Sequence, residues 1–190
     1  MQDIITYKRA ALHNYRLILD TPPAVKRKIA DISTRLNAFF PGMPLAGGSV
    51  FIYLASFSVY EPDEVVVTDL LYRAALATMP HKVYLKGVAH LDEKEIYIPV
   101  MEADWIKALI QNISALTAPW CKERFNAQPR ISLARNLQPW QFERVWPYFE
   151  KESFRTRFIM NGMLLLQQLE GYQSWHVERK FTFENQLITD

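Results

Sequence analysis

Two short phrases, FIYLASF at residues 51–57 and RISLARN at residues 130–136, share a Leu-Ala dipeptide inside runs that read as β-strands. Each follows a segment of helical period, so the chain contains nearly one unit used twice. The first unit begins with HNYRLILD, an alternating strand that ends at Pro22-Pro23. Those prolines suit the first turn of a helix in which Val25, Ile29, Ile32, Leu36 and Phe39 or Phe40 recur at helical spacing. Gly47-Gly48 then leads into SVFIYLASF. A second helix is expected from about Asp63 to Thr78 with Val66, Leu70, Ala74 and Ala77 inward, followed by HKVYLKGVAHL and EIYIPV as a hairpin. The second unit repeats the theme. Trp105, Ile106, Leu109, Ile110 and Ile113 mark a helix, CKERFNAQ is a polar loop, and PRISLAR is a strand. A helix over residues 139–151 carries Phe142, Val145, Trp146 and Phe149 on one side. The last segment, FRTRFIMNGMLLLQQL with SWHVERKFTFEN, reads as a long hairpin turning at Glu170-Gly171.

This order predicts an α+β fold of two pseudo-symmetric strand-helix-hairpin lobes around a central cleft. The lobes run approximately over residues 13–100 and 101–190, not independent but parts of a single domain spanning residues 1–190. Apolar residues make up 49% and aromatics 13%, enough for a packed core in a chain of this length. The formal charge of +2 is too small for a protein that grips duplex DNA through many phosphates. Cys121 is the single cysteine, so no internal disulfide is available and a reducing cytosol fits. The first twenty residues carry charge throughout, unlike a secretion signal, and no apolar run approaches the ~20 residues a spanning helix needs. The expectation is a cytoplasmic protein with no membrane partner and an unknown oligomeric state.

Aligning the two phrases on Leu-Ala sets Phe51 against Arg130 and Tyr53 against Ser132. Residues two apart on a strand share a face, so each pair points one way. Packed about a pseudo-twofold axis, the pairs would face each other across the cleft.

The second phrase, Pro129-Arg130-Ile131-Ser132-Leu133-Ala134-Arg135, resembles the second motif of the two-histidine phosphoesterases, which include the 2'-5' RNA ligase-like proteins. That motif commonly reads Pro-His-Ile-Thr-Leu-Ala-Arg. The first motif resembles them less: Phe51-Ile52-Tyr53-Leu54-Ala55 keeps the strand and Leu-Ala but neither functional residue. The resemblance in element order covers roughly residues 13–184. It implies a site in which one histidine acts as general base and the other as general acid on a 2',3'-cyclic or 2'-5' phosphodiester. Here Phe51 has no proton to exchange, and Arg130 stays charged and cannot serve as a base. Each lost acid or base costs about 10²–10⁴ in rate, so the ordinary phosphodiesterase reaction is expected to be absent.

No catalytic residue is therefore assigned. Phe51, Tyr53, Arg130 and Ser132 are the candidate ligand-binding residues, since a guanidinium fork suits phosphate. The expected partner is a nucleotide, an RNA end or a small phosphorylated ligand, with no cofactor and no metal. Two alternatives stand beside this. One is a phosphoesterase working through other residues, such as Tyr53, Arg130 and a nearby histidine. The other is a structural or protein-interaction domain, with Arg130 paired to an acid and Phe51 and Tyr53 closing the groove.

Of the four histidines, His13, His81, His90 and His176, none makes a metal-ligand spacing, and His176 beside Trp175 is the best outside candidate for a catalytic role. Arg135 is expected to face away from Arg130 and to make a structural ion pair. Gly47-Gly48 belongs to no phosphate-loop pattern. Cys121 reads as an ordinary thiol, Trp140, Trp146, Tyr148 and Phe149 as core, and Lys26, Arg27 and Lys28 as a solvated helix face.

Overall fold

The structure, a computed structural model, describes residues 10–45, 50–120, 122–126, 128–168 and 173–186. The glycine pair 47–48, Cys121 and the turn expected at residues 170–171 lie outside them. Among the described residues the elements are β1 (Leu12–Asp20), α1 (Pro23–Phe39), β2 (Phe51–Tyr60), α2 (Glu64–Ala77), β3 (His81–Lys86), β4 (Ala89–Leu91), β5 (Glu95–Met101), α3 (Asp104–Thr117), β6 (Lys122–Phe125), β7 (Arg130–Ala134), α4 (Pro139–Phe149), β8 (Arg155–Met160), β9 (Gly162–Gln168) and β10 (Trp175–Thr182).

The strands build two antiparallel sheets, giving the expected α+β class. The first has the order β10-β9-β1-β2-β6; the second runs β4-β5-β3-β8, with β7 also paired to β5. Each sheet takes strands from both chain halves, so the two layers do not coincide with residues 13–100 and 101–190. Buried side chains from both sheets and all four helices form one cluster.

Local chemistry explains the helices. In α1, proline at the first turn fits the helical φ, and Val25, Ile29, Ile32 and Leu36 go under at intervals of four, three and four. Each such side chain contributes about 1.5–3 kcal/mol of burial. In α3, Ile106, Leu109, Ile110 and Ile113 are buried as expected, while Trp105 is only partly covered, stacked on His81. In α4, Phe142, Val145 and Phe149 are buried and Trp146 is half-covered. The face of α2 differs from the expected one by a residue: Val67, Leu71, Ala74 and Ala75 are buried, and Val66 is exposed. Both stripes are apolar there, and only the packing of α2 on β2, β10 and α3 selects between them.

Three strand expectations are corrected. The hairpin after α2 is split, with β4 turning into β5 and β3 pairing with the far end of β5. The polar loop before PRISLAR contributes β6, an edge strand along β2. The segment expected as one long strand divides at Asn161: β8 joins β3 in the second sheet, and β9 pairs with β1 and β10 in the first. Gly162 begins β9 against β10, where a Cβ would collide with the carbonyl oxygen of Phe181. Only glycine permits that approach. No helix among the described residues is long and apolar enough to cross a membrane.

Candidate functional site

Both Leu-Ala dipeptides are β-bulges. On β2, Ala55 pairs with Leu17 and Tyr53 with Ile18, leaving Leu54 as the extra residue. On β7, Ala134 pairs with Ile96 and Ser132 with Tyr97, leaving Leu133 as the extra residue. In each strand the Leu and the Ala both turn inward, where ordinary alternation would send one of them out. Two small-to-medium apolar residues in succession are what such a position needs. The bulge re-aims the strand: Phe51, Tyr53, Ser56 and Ser58, with the terminal Tyr60, are the less buried residues of β2, and Ile52, Leu54, Ala55, Phe57 and Val59 form its core face.

The re-aimed face borders a groove of about 760 Å³ between the sheets, within the range of small-ligand sites. Its first-sheet wall presents Asn14 and Arg16 from β1, Phe51, Tyr53, Ser56 and Ser58 from β2, and Trp175 from β10. The Arg16 guanidinium lies over the Trp175 ring, 4.0 Å from its centre. Burial lowers the Arg16 pKa, with the Arg135 charge acting in the same direction and Tyr53 opposing, but an arginine keeps its charge under any physiological condition. Asn126, just beyond β6, donates from Nδ2 to the Tyr53 carbonyl at 3.0 Å and fixes the strand edge.

The facing wall centres on Glu95 at the start of β5. Arg130 Nη2 donates to Glu95 Oε2 at 2.7 Å, Ser132 Oγ donates to Oε1, and Arg135 Nε stands 3.6 Å from Oε1. The Arg130 guanidinium also covers the Tyr97 ring at 5.2 Å, and its Nη1 donates to the Gln128 carbonyl at 3.3 Å. Burial alone would raise the Glu95 pKa, but hydrogen bonds from Arg130 and Ser132 and the charges of Arg130 and Arg135 outweigh it and hold the carboxyl below its ordinary value. Glu95 is therefore an ionised acceptor, unsuited to giving up a proton near neutrality. Three arginines against one carboxylate leave the groove net positive among the described residues.

Phe51, Tyr53 and Arg130 thus line one groove, the first two without closing it. Ser132 is 2% exposed and sits behind Glu95. The Arg130 pairing with an acid, posed as an alternative from sequence, is what the structure contains. Arg135 does not turn away: β7 ends at Ala134, strand alternation stops with it, and Arg135 reaches the same carboxylate.

None of the four histidines lines the groove. His13 and Tyr15 bond Glu64 of α2, and burial, then the hydrogen bond to Glu64, push the Tyr15 hydroxyl pKa upward. His81 stacks on Trp105 with ring centres 4.5 Å apart, and burial lowers its pKa. His90 meets the edge of Trp146, and His176 pairs with Glu178 at 3.5 Å.

Glu95, Arg16 and Trp175 are the residues that sequence reasoning passed over. Arg16 had a signal, being a charge inside the apolar alternation of HNYRLILD. Glu95 had none locally, because its partners come from β7, 35 or more positions away.

No family model matches the chain, and no curated protein matches it. Solved structures do. The chain is similar to Escherichia coli LigT in complex with 3'-AMP, at 13% identity and a TM-score of 0.66, covering 90% of this chain and 98% of that one. It is similar to TT0787 of Thermus thermophilus, at 13% identity and a TM-score of 0.64, covering 92% and 100%. A structure described as a phosphoesterase gives 15% identity and a TM-score of 0.67, covering 91% and 99%. LigT has also been crystallised with NADP+, with ATP and with phosphate. The likeness to the 2'-5' RNA ligase-like proteins therefore holds at the level of fold, over nearly the whole chain.

Proposed function

We propose that the groove binds the phosphate of a nucleotide or RNA end and does not turn it over by two-histidine chemistry. The observation that carries this is a net-positive, aromatic-lined groove that no histidine lines. Nucleotide complexes of LigT, which has the same fold, support the choice of ligand class.

The residues divide the work differently from the sequence expectation. Arg130 has its Nη2 committed to Glu95 and its Nη1 to the Gln128 carbonyl, so its fork is not wholly open. Arg16 has no carboxylate partner among the described residues, and its guanidinium lies over the Trp175 ring. Arg16 is the primary phosphate contact, with Arg135 and the Glu95-paired Arg130 adding their charges from the facing wall. Phe51 and Tyr53 offer ring faces for a base or ribose. Among the described groove residues neither Arg130 nor Glu95 suits the general base of the two-histidine reaction: Arg130 stays charged, and Glu95 is held ionised with both oxygens engaged. The one cysteine suits a reducing compartment, and we place this binding in the cytosol.

Calorimetric titration with 3'-AMP on the wild type, Arg16→Ala and Arg130→Ala tests the assignment. Loss of one charge-assisted phosphate bond predicts about a tenfold weaker Kd for Arg16→Ala and a smaller effect for Arg130→Ala. Equal affinity in all three proteins would refute the assignment.

A further inference from the structure

A second recess of about 620 Å³ lies away from this groove, on the second sheet where it meets α1. Lys86 of β3 stands directly opposite Arg155 of β8, and Tyr84 directly opposite Arg157. Alternation along β3 and β8 puts all four on one face. Lys28 of α1 joins them, and Lys82 lies 5.9 Å from the Tyr84 ring on the same strand. Glu102 is the only carboxylate among the lining residues. Lys28, Lys86, Arg155 and Arg157 have no ion-pair partner among the described residues.

That arrangement works against stability. Like charges directly opposite on an antiparallel ladder repel, and the chain as a whole carries only +2, so these cations are concentrated rather than spread. An anion between the strands would relieve the repulsion. The cations are strung along two strands instead of converging on a point, which fits a repeating anion better than one phosphate. Tyr84 and the exposed Met101 add a flat apolar surface among them. Basic residues tracking a backbone beside an aromatic face are the makings of a single-strand nucleic-acid site, and duplex binding would call for a wider basic surface.

We propose that this face binds the sugar-phosphate backbone of single-stranded RNA, separately from the central groove. The test is fluorescence anisotropy with a short labelled oligouridylate across a salt series, on the wild type and on R155E/R157E. The same proteins are titrated with 3'-AMP, and with vesicles of phosphatidylserine and phosphatidylcholine. R155E replaces a like-charged pair with an opposite-charged one, so the variant folds, with Tm unchanged or higher. The expected result is a loss of about tenfold or more in oligouridylate affinity and a salt slope flatter by about 1–2, with 3'-AMP binding unchanged. Unchanged affinity and slope in the variant, or no oligouridylate binding by the wild type at low salt, would overturn the proposal. So would a parallel loss of 3'-AMP binding, which would put both ligands in the central groove, or R155E/R157E-sensitive binding to vesicles alone. Failure of 3'-AMP to bind either protein would count against the central groove and leave the oligouridylate result to decide this site.

Discussion

Glu95→Gln separates the two roles of the carboxylate at the centre of the groove. In the native protein its two oxygens take hydrogen bonds from Arg130 and Ser132, with Arg135 close by, and the side chains of Glu95 and Arg130 are only 16% and 18% exposed. Glutamine keeps one acceptor oxygen and turns an amide toward a donor, so one bond to a charged group is lost, a cost of about 1.5–3 kcal/mol. In a chain of this length each kcal/mol shifts Tm by about 2–4 °C, so Glu95→Gln should melt about 3–12 °C lower. Anion binding should move the other way. Removing the carboxylate frees a branch of the Arg130 fork and raises the groove's positive potential, and one regained phosphate bond of about 1.4 kcal/mol is tenfold in Kd. The assays are thermal melting and calorimetric titration with inorganic phosphate. The pH dependence follows from the sign of the Glu95 shift. Its folded-state pKa lies below the ordinary value of 4.5, so its stabilisation is complete above that pH and is lost as pH falls through the folded value. The gap in stability between wild type and Glu95→Gln should therefore be widest at neutral pH and narrow on acidification below about pH 4.5. A variant that melts with the wild type and binds phosphate no better would refute the ionised, arginine-bound Glu95 described here.

Two further substitutions probe the first sheet, one at the groove and one away from it. Trp175→Ala removes the ring beneath Arg16 and should weaken 3'-AMP binding several-fold, with a stability loss of about 0.5–2 kcal/mol from the cation–π contact in urea unfolding. Gly162→Ala drives a methyl into the Phe181 carbonyl, so the β9–β10 hairpin must shift, at a cost of about 1–3 kcal/mol in the same assay.

The sequence held the fold where local period and packing agree. β1, α1, β2, α3, β7 and α4 carry alternation or helical spacing that only one secondary structure satisfies, and each forms where expected. Alternation also placed Phe51 and Tyr53 on one face, and the shared Leu-Ala marked the two equivalent strands. It did not reveal why the dipeptide is shared. The bulge is a property of pairing with β1 and β5, and neither partner register is written in the strand itself. The same limit hid the division at Asn161, because both sides of it read equally well as strand and the choice of sheet is made by β3 and β1. The site was half legible for a similar reason. Arg130 was recognisable from its motif, but its neutralising partner Glu95 stands in another strand with no local mark of function.

Under the proposed function this groove holds a nucleotide and leaves it intact. Incubation of the purified protein with 2',3'-cyclic AMP, followed by chromatographic separation of products and a parallel calorimetric titration, tests it most directly. Saturable binding with the cyclic nucleotide recovered unchanged is the expected result. Binding accompanied by an opened 2'- or 3'-monophosphate, above the rate of a heat-denatured control, would contradict it.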